Sequence, residues 1–272
     1  MLVMRVLLHK KRHLMIEENC YMFMEFTTFM QRFLDLLETS ENCVFLSGAG
    51  ISTFSGIPDF RGSNGLYAKY DSNKIFDLAY FHKDPAYFYT HAREFIYDLD
   101  TKEPNLIHMT LAMMEKKGYL SSVITQNIDL LHQKAGSVNV IEIHGSPANH
   151  KCLSCGENYS YDDVRELLEK ETVPHCIKCS GLIKPDIIFF GEMLDEIAIT
   201  SAVTVSSKAD LFVVIGSSLV VQPAASLPLY SLKRGGKLVI VNNMATPLDE
   251  YAYLKYDDLG DFFNHLSSYF NE

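Results

Sequence analysis

The sequence predicts an α/β fold in which a parallel sheet, covered by helices on both faces, carries two insertions that form a smaller domain. Five short β-rich apolar runs, Cys43 to Leu46, Ser122 to Thr125, Val140 to Ile143, Leu211 to Ile215 and Leu238 to Val241, are continuous and not alternating. Continuity of that kind marks strands buried on both faces. Helical segments such as Leu106 to Lys117 and Ala224 to Lys233 lie between most of them, as crossover connections in a parallel sheet require. The pattern breaks twice: residues 151–183 turn to Cys, Lys, Gly and Glu, and about 60–100 is rich in Tyr and Phe, with turn signals at Asn64-Gly65 and Asp84-Pro85.

Ahead of the first strand, Phe29, Met30, Phe33, Leu34 and Leu37 recur at helical spacing and stop before the polar cluster Thr39 to Asn42, which predicts one amphipathic helix. Residues 1–23 read differently, with Arg5, Lys10, Lys11 and Arg12 around a short apolar run and no acidic residue before Glu17. Arg5 interrupts that run and no small-residue cleavage site follows, so a dispensable extension ahead of an internal start at Met22 or Met24 is expected over a targeting peptide.

A length of 272 residues suits one large domain carrying a smaller one. With 47% hydrophobic and 21% charged residues, and no stretch near the ~18 apolar residues of a membrane span, a soluble protein without a membrane partner is expected. The net charge of −10 argues against nucleic-acid binding by counterion release and suits a cationic partner such as a lysine-bearing peptide. Six cysteines are too few for a disulfide scaffold; four form two close pairs while Cys20 and Cys43 stand apart. That usage points to metal in a reducing compartment, the cytoplasm.

The strongest local signal is Cys152-x-x-Cys155 followed by Cys176-x-x-Cys179. Each pair can form a tight knuckle that gives two thiolates to one tetrahedral ion, leaving no open position, so the metal is expected to be structural zinc. Ser47-Gly48-Ala49-Gly50-Ile51-Ser52 follows the first strand, where glycines let backbone N–H groups approach a diphosphate. The full dinucleotide fingerprint would place a glycine at Thr53, and the next one is Gly56. On its own, then, the segment serves equally as a sharp structural turn. Thr125-Gln126-Asn127-Ile128-Asp129 and Glu142-Ile143-His144-Gly145-Ser146 also end strands; Asp129 could simply cap the next helix, and a lone His144 could be structural. Their shared position is what matters, since ligands in such sheets sit at the carboxyl ends of the strands.

Taken in order, Gly48-Ala49-Gly50-Ile51-Ser52, Gly56-Ile57-Pro58-Asp59-Phe60-Arg61-Gly62, Thr125 to Asp129, His144-Gly145, the two Cys pairs, Phe189-Phe190-Gly191-Glu192, Gly216-Ser217-Ser218-Leu219 and Val241-Asn242 resemble the sirtuin family over residues 24 to 270, in its bacterial and archaeal deacetylase type. The resemblance implies a Rossmann-like NAD-binding domain from residues 24–59, 101–150 and 184–272. It implies a small domain made of a helical module and cofactor loop, 60–100, and a zinc-binding module, 151–183. Ala49, Thr53, Phe60 and Arg61 would line the phosphate and nicotinamide-ribose side of the NAD site. Gln126, Ile128 and Asp129 would hold the ribose and carboxamide, Asn127 would position ribose and water, and Ser217, Ser218, Asn242 and Leu259 would contact the adenosine half.

The implied reaction is NAD-dependent deacetylation of protein lysine. The acyl oxygen attacks C1′ of the nicotinamide ribose, nicotinamide leaves, and His144 acts as general base on the ribose hydroxyls so that the acetyl group passes to ADP-ribose. Acetyl-lysine proteins would be the partners of a monomeric enzyme, the peptide adding as a strand between Gly191-Glu192 and Val220-Val221 and its lysine passing Phe60, Ile188 and Phe190. Relatives that remove acidic acyl groups are similar to one another in a Tyr-x-x-Arg pair. Here Tyr89 is followed by Ala92 at that spacing and Arg93 falls one position late, a rotation of ~100° on a helix, so acetyl and other short neutral acyl groups are expected. The rival readings are an ADP-ribosyltransferase or NAD hydrolase on the same fold, and a non-enzymatic zinc-ribbon or NAD-sensing module. The latter calls for a basic or aromatic face around the cysteines, where the sequence has Glu157, Asp162, Asp163, Glu166, Glu169 and Glu171.

Overall fold

The computed structural model describes residues 26–62 and 65–271, and the extension expected over residues 1–23 lies outside the described residues. Two compact units divide them, one holding residues 26–40 and the other running from Glu41 onward. In the first, residues 26–39 are helical. Phe29, Met30, Phe33, Leu34 and Leu37 are buried, the single face that their spacing predicts.

Among the described residues the second unit has nine strands: β1 (Cys43–Ser47), β2 (Ser122–Thr125), β3 (Val140–Glu142), β4 (Gly145–Cys152), β5 (Asn158–Ser160), β6 (Ile183–Ile187), β7 (Leu211–Ile215), β8 (Lys237–Val241) and β9 (Leu254–Tyr256). Six of them form one sheet in the order β3-β2-β1-β7-β8-β9, with every pair parallel. All five anticipated runs are in it. Every residue of β1, β2 and β7 is buried, which is why these runs carry no polar alternation. Val44, Leu46, Ile124, Phe212, Val214, Leu238 and Ile240 form the core on one side. The edge strand β9 was not anticipated: it has three residues, of which only Leu254 is buried and Lys255 is exposed, too short and too polar to register as an apolar run.

The chain moves outward from β1 through β2 to β3, then returns to the other side of β1 at β7. Strand order therefore reverses between β1 and β7, and in such sheets the crevice beyond the carboxyl ends at that point is the ligand position. The two strand ends are in backbone contact, with Gly48 N–H donating to Ile215 O at 3.0 Å and Gly50 N–H to Gly216 O at 2.9 Å. No side chain fits between them. A Cβ on Gly48 would lie 2.6 Å from Gly216 O, and one on Gly216, whose φ is +59°, would lie 2.7 Å from Ile51 N.

The remaining strands make a second, antiparallel sheet, β5-β4-β6. The β4–β6 ladder runs from Gly145 opposite Ile187 to Cys152 opposite Ile183. Both insertions share one core: Phe81, Phe88, Tyr89 and Ile96 of the first pack with Tyr159, Val164 and Leu168 of the second around Phe189. Phe189 meets the Phe81 ring at 5.2 Å and the Phe88 ring at 5.0 Å, and the buried Tyr89 hydroxyl donates to Ile183 O at 2.6 Å. The expected turn at Asp84-Pro85 is a helix boundary, because Asp84 accepts from Tyr87 N–H and Pro85 opens the helix Pro85–Ala92.

Gly216→Ala is expected to lower unfolding free energy by about 1–3 kcal/mol through left-handed strain and the clash with Ile51. Gly235→Ala is the control: it shares a positive φ, +86°, but has nothing within 4 Å, so it should lose only the backbone part, ~1 kcal/mol. Urea denaturation of the two variants checks this; equal losses would show that the close approach carries no cost.

Candidate functional site

Cys152 ends β4, Cys155 follows it in a turn, and Cys176 and Cys179 bracket the turn that returns the chain to β6. Sulfur separations are 3.5 Å for Cys152–Cys179 and 3.6 Å for Cys155–Cys176, and all four sulfurs lie within 4.8 Å of one another. A tetrahedral ion with ~2.3 Å zinc–sulfur bonds has ligand edges of about 3.8 Å, so the array fits zinc and leaves no open position. Tyr159 Oη donates to Cys176 Sγ at 3.1 Å and pulls that thiol down to about 6, favouring the thiolate a metal needs.

A cavity of about 800 Å³ lies at the carboxyl edge of the parallel sheet, within the usual range for small-molecule sites. Its floor is the close approach of Gly48 and Gly216, and the 3₁₀ helix Ala49–Ser55 starts there. Ala49, Thr53, Phe60, Arg61, Gln126, Asn127, Ile128 and His144 line it on one side, and Ser217, Ser218, Asn242 and Leu259 on the other. Gln126 and Ser217 meet directly, Nε2 donating to Oγ at 2.7 Å. Ile188, Phe190, Gly191, Glu192 and Val220 form the rim, with Phe190 and Val220 half exposed, at 48% and 52%.

Two lining residues, Asn127 and His144, have distinctive partners. Asn127 is buried and held from three sides: its N–H donates to Thr125 Oγ1, and its Nδ2 donates to Gly48 O and Ser52 Oγ. Its Oδ1 has no partner. A buried carbonyl oxygen without a donor is costly, and this one belongs to a residue that lines the cavity. His144 Nδ1–H donates to Gln126 O at 2.9 Å, which leaves Nε2 as the unprotonated nitrogen. Burial pushes its pKa below the usual 6.5, although the Gln126 carbonyl opposes that.

Asp129 stands apart from the other expected contacts because it does not line the cavity. Its carboxylate accepts from Ser52 Oγ and, at 3.0 Å, from Leu131 N–H. It thus caps the helical turn after it and orients Ser52, which in turn holds Asn127. Glu192 reaches the rim, but its carboxylate turns inward to Phe189 N–H and Lys184. The sequence reading did not find Phe54, Asn243, Asp257 and Asp258, which also line the wall. The two aspartates follow β9, the strand too short to be recognised; Phe54, an apolar residue 54% exposed, has no distinguishing neighbour in sequence.

Chelation under denaturing conditions should release one zinc per chain. Cys176→Ser should lose that zinc and unfold the β4–β6 ladder, costing well over ~3 kcal/mol. Atomic absorption with thermal denaturation checks both, and a metal-free chain of undiminished stability would refute the structural role.

Comparison with known proteins agrees with this geometry. The model of the Sir2 family matches residues 48–223. An NAD-dependent protein deacetylase of Thermotoga maritima is 52% identical over 228 residues, 84% of this chain and 92% of the relative. One of Sulfurisphaera tokodaii is 47% identical over 218 residues, 80% and 86% of the two chains. Among solved structures, Sir2 with a p53 peptide and NAD+ superposes with a TM-score of 0.82 at 48% identity, covering 89% of this chain and 97% of that one. Sir2 bound to acetylated peptide gives 0.81 at 47% identity, covering 89% and 97%. With Gly48, Asn127, His144 and Asn242 all lining the cavity and the matches spanning most of the fold, this chain belongs to the Sir2 family.

Proposed function

We propose that this protein is an NAD-dependent protein-lysine deacetylase that uses His144 as its general base. One observation carries the reading: the His144 imidazole, its Nδ1–H committed to Gln126 O, shares a cavity wall with the unpartnered Oδ1 of Asn127. The names of the relatives and the peptide-bound neighbours support the same reaction. NAD bound there would supply the electrophilic ribose carbon, the nicotinamide leaving group and the ADP-ribose that accepts the acetyl group.

The chain's own residues do the rest. Gly48 and Gly216 leave room for backbone approach to the diphosphate, and Asn127 Oδ1 receives a ribose hydroxyl or a water. His144 Nε2 takes a proton from a ribose hydroxyl. Its lowered pKa keeps the imidazole neutral at pH 7, the form a base requires. Asp129 acts through Ser52 and Asn127. Phe60, Ile188 and Phe190 exclude water around the acyl-lysine, and the peptide backbone lies between the Gly191-Glu192 and Val220-Val221 segments.

Neither residue of the Tyr89 and Arg93 pair lines the cavity: Tyr89 is bound to Ile183 O, and Arg93 donates to Leu168 O and Glu171 O. That supports acetyl and other short neutral acyl groups. The Rossmann-like domain binds NAD, and the 60–100 and 151–183 modules form the small domain. The enzyme works as a monomer on acetyl-lysine proteins in the cytoplasm, where zinc thiolates stay reduced. Neither nucleic acid nor membrane takes part. The acidic balance supports the first point.

Incubation with an acetyl-lysine peptide, with and without NAD, followed by mass spectrometry, should show stoichiometric NAD-dependent deacetylation. His144→Ala should reduce it about 10²–10⁴-fold while NAD still binds. Nicotinamide release without peptide would move the assignment to an NAD hydrolase. Because only neutral His144 is a base, kcat should be flat above the ordinary 6.5 of histidine and fall as pH drops through its lowered value, so the acid limb lies below 6.5; an acid limb above 6.5 would contradict the burial argument.

A further inference from the structure

Lys184 is buried and does not itself line the cavity. It sits on β6 between the metal knuckles and the substrate rim, with its side chain 7% exposed. Its ammonium donates to Ile187 O at 2.7 Å and Pro185 O at 3.2 Å, lies 2.9 Å from Glu192 Oε2, and stands 4.2 Å above the Phe189 ring. Burial pushes the lysine pKa down, and Glu192 opposes the shift. An ammonium this enclosed is retained only where partners hold it.

The partners all belong to one short segment. Glu192 Oε2 also accepts Phe189 N–H at 2.7 Å, and Glu192 N–H donates back to Phe189 O at 3.0 Å. The turn Phe189 to Glu192 is thereby closed on itself, with Gly191 at φ +96°, and Lys184 fastens the closed turn to β6. Either side of it, Ile188 N–H donates to His144 O, Phe190 N–H donates to Phe76 O, and Leu78 N–H donates to Phe190 O. The segment so held carries Phe190 and Gly191 on the cavity rim.

We infer that Lys184 is a positioning residue for the acylated peptide: through Glu192 it holds the Phe189–Glu192 turn in the conformation on which the peptide backbone is laid. The inference rests on the deacetylase reading. It explains why Glu192 offers the peptide its backbone and not its carboxylate. A rim held rigid before binding avoids the ordering cost that a loose one incurs when the substrate arrives.

The test compares wild type, Lys184→Met and the double variant Lys184→Met/Glu192→Met in steady-state kinetics with an acetyl-lysine peptide and NAD. Lys184→Met leaves the partly buried Glu192 carboxylate without its cation, so it can lose stability; the double variant removes both charges together and avoids that. The expected result in the double variant is a peptide KM raised about tenfold, with kcat at saturating peptide within about twofold. KM for NAD, zinc content and the pH profile should match wild type. An unchanged peptide KM, or KM rising equally for peptide and NAD, would overturn the inference. Loss of folding in both variants would overturn it too, since the pair would then hold the fold and not the rim. If the wild type itself releases no acetyl group, the deacetylase reading fails first and the inference falls with it.

Discussion

The contact between the ends of β1 and β7 sets the rest of the site. Two parallel strands leave the sheet side by side, and their next residues, Gly48 and Gly216, come close enough that neither tolerates a side chain. The backbone groups exposed there form a floor with no bulk, which suits a diphosphate. Residues at the end of β2 are registered to the same floor: Asn127 Nδ2 donates to Gly48 O, and Ser47 Oγ bonds both Thr125 Oγ1 and His132 Nε2. Displacing either glycine would therefore move Asn127 as well.

A second constraint joins the metal to the chemistry. The β4–β6 ladder has Cys152 opposite Ile183 at one end and Gly145 opposite Ile187 at the other. His144 immediately precedes the ladder and accepts from Ile188 N–H just beyond it. Four thiolates placed for one ion sit at the far end, and the ladder, with a register shift between Ser146 and His150, connects that end to His144 and Ile188. A structural metal without an open position would act on the proposed site through alignment alone. The aromatic cluster about Phe189 ties the second insertion into the same arrangement.

Legibility followed the range of the interaction. Strands buried on both faces are continuous apolar runs, so five of the six strands of the large sheet were readable, and the sixth, Leu254–Tyr256, was not because an edge strand needs only one buried residue. The cysteine pairs were readable because the ligand spacing is local. Most wall residues were found only through the ordered family resemblance. Asp129 and Glu192 were expected at the ligand surface, and the carboxylates of both turn inward, where Ser52 and Lys184 bind them. Polar side chains at a strand end can point to a ligand or back into the protein, and periodicity does not distinguish the two.

The amino-acid sequence by itself determined five of the sheet's six strands, the cysteine pairs and the family, since burial on two faces, knuckle spacing and ordered motifs are written in neighbouring residues. Tertiary structure alone decided which side chains reach the cavity. The reversal of strand order between β1 and β7 brings residues 48, 127, 144, 217 and 242 together across long separations in the chain. The direction each side chain takes then depends on donors and acceptors supplied by other strands, as Asn127 shows with its Nδ2 held by Gly48 and Ser52 and its Oδ1 left open.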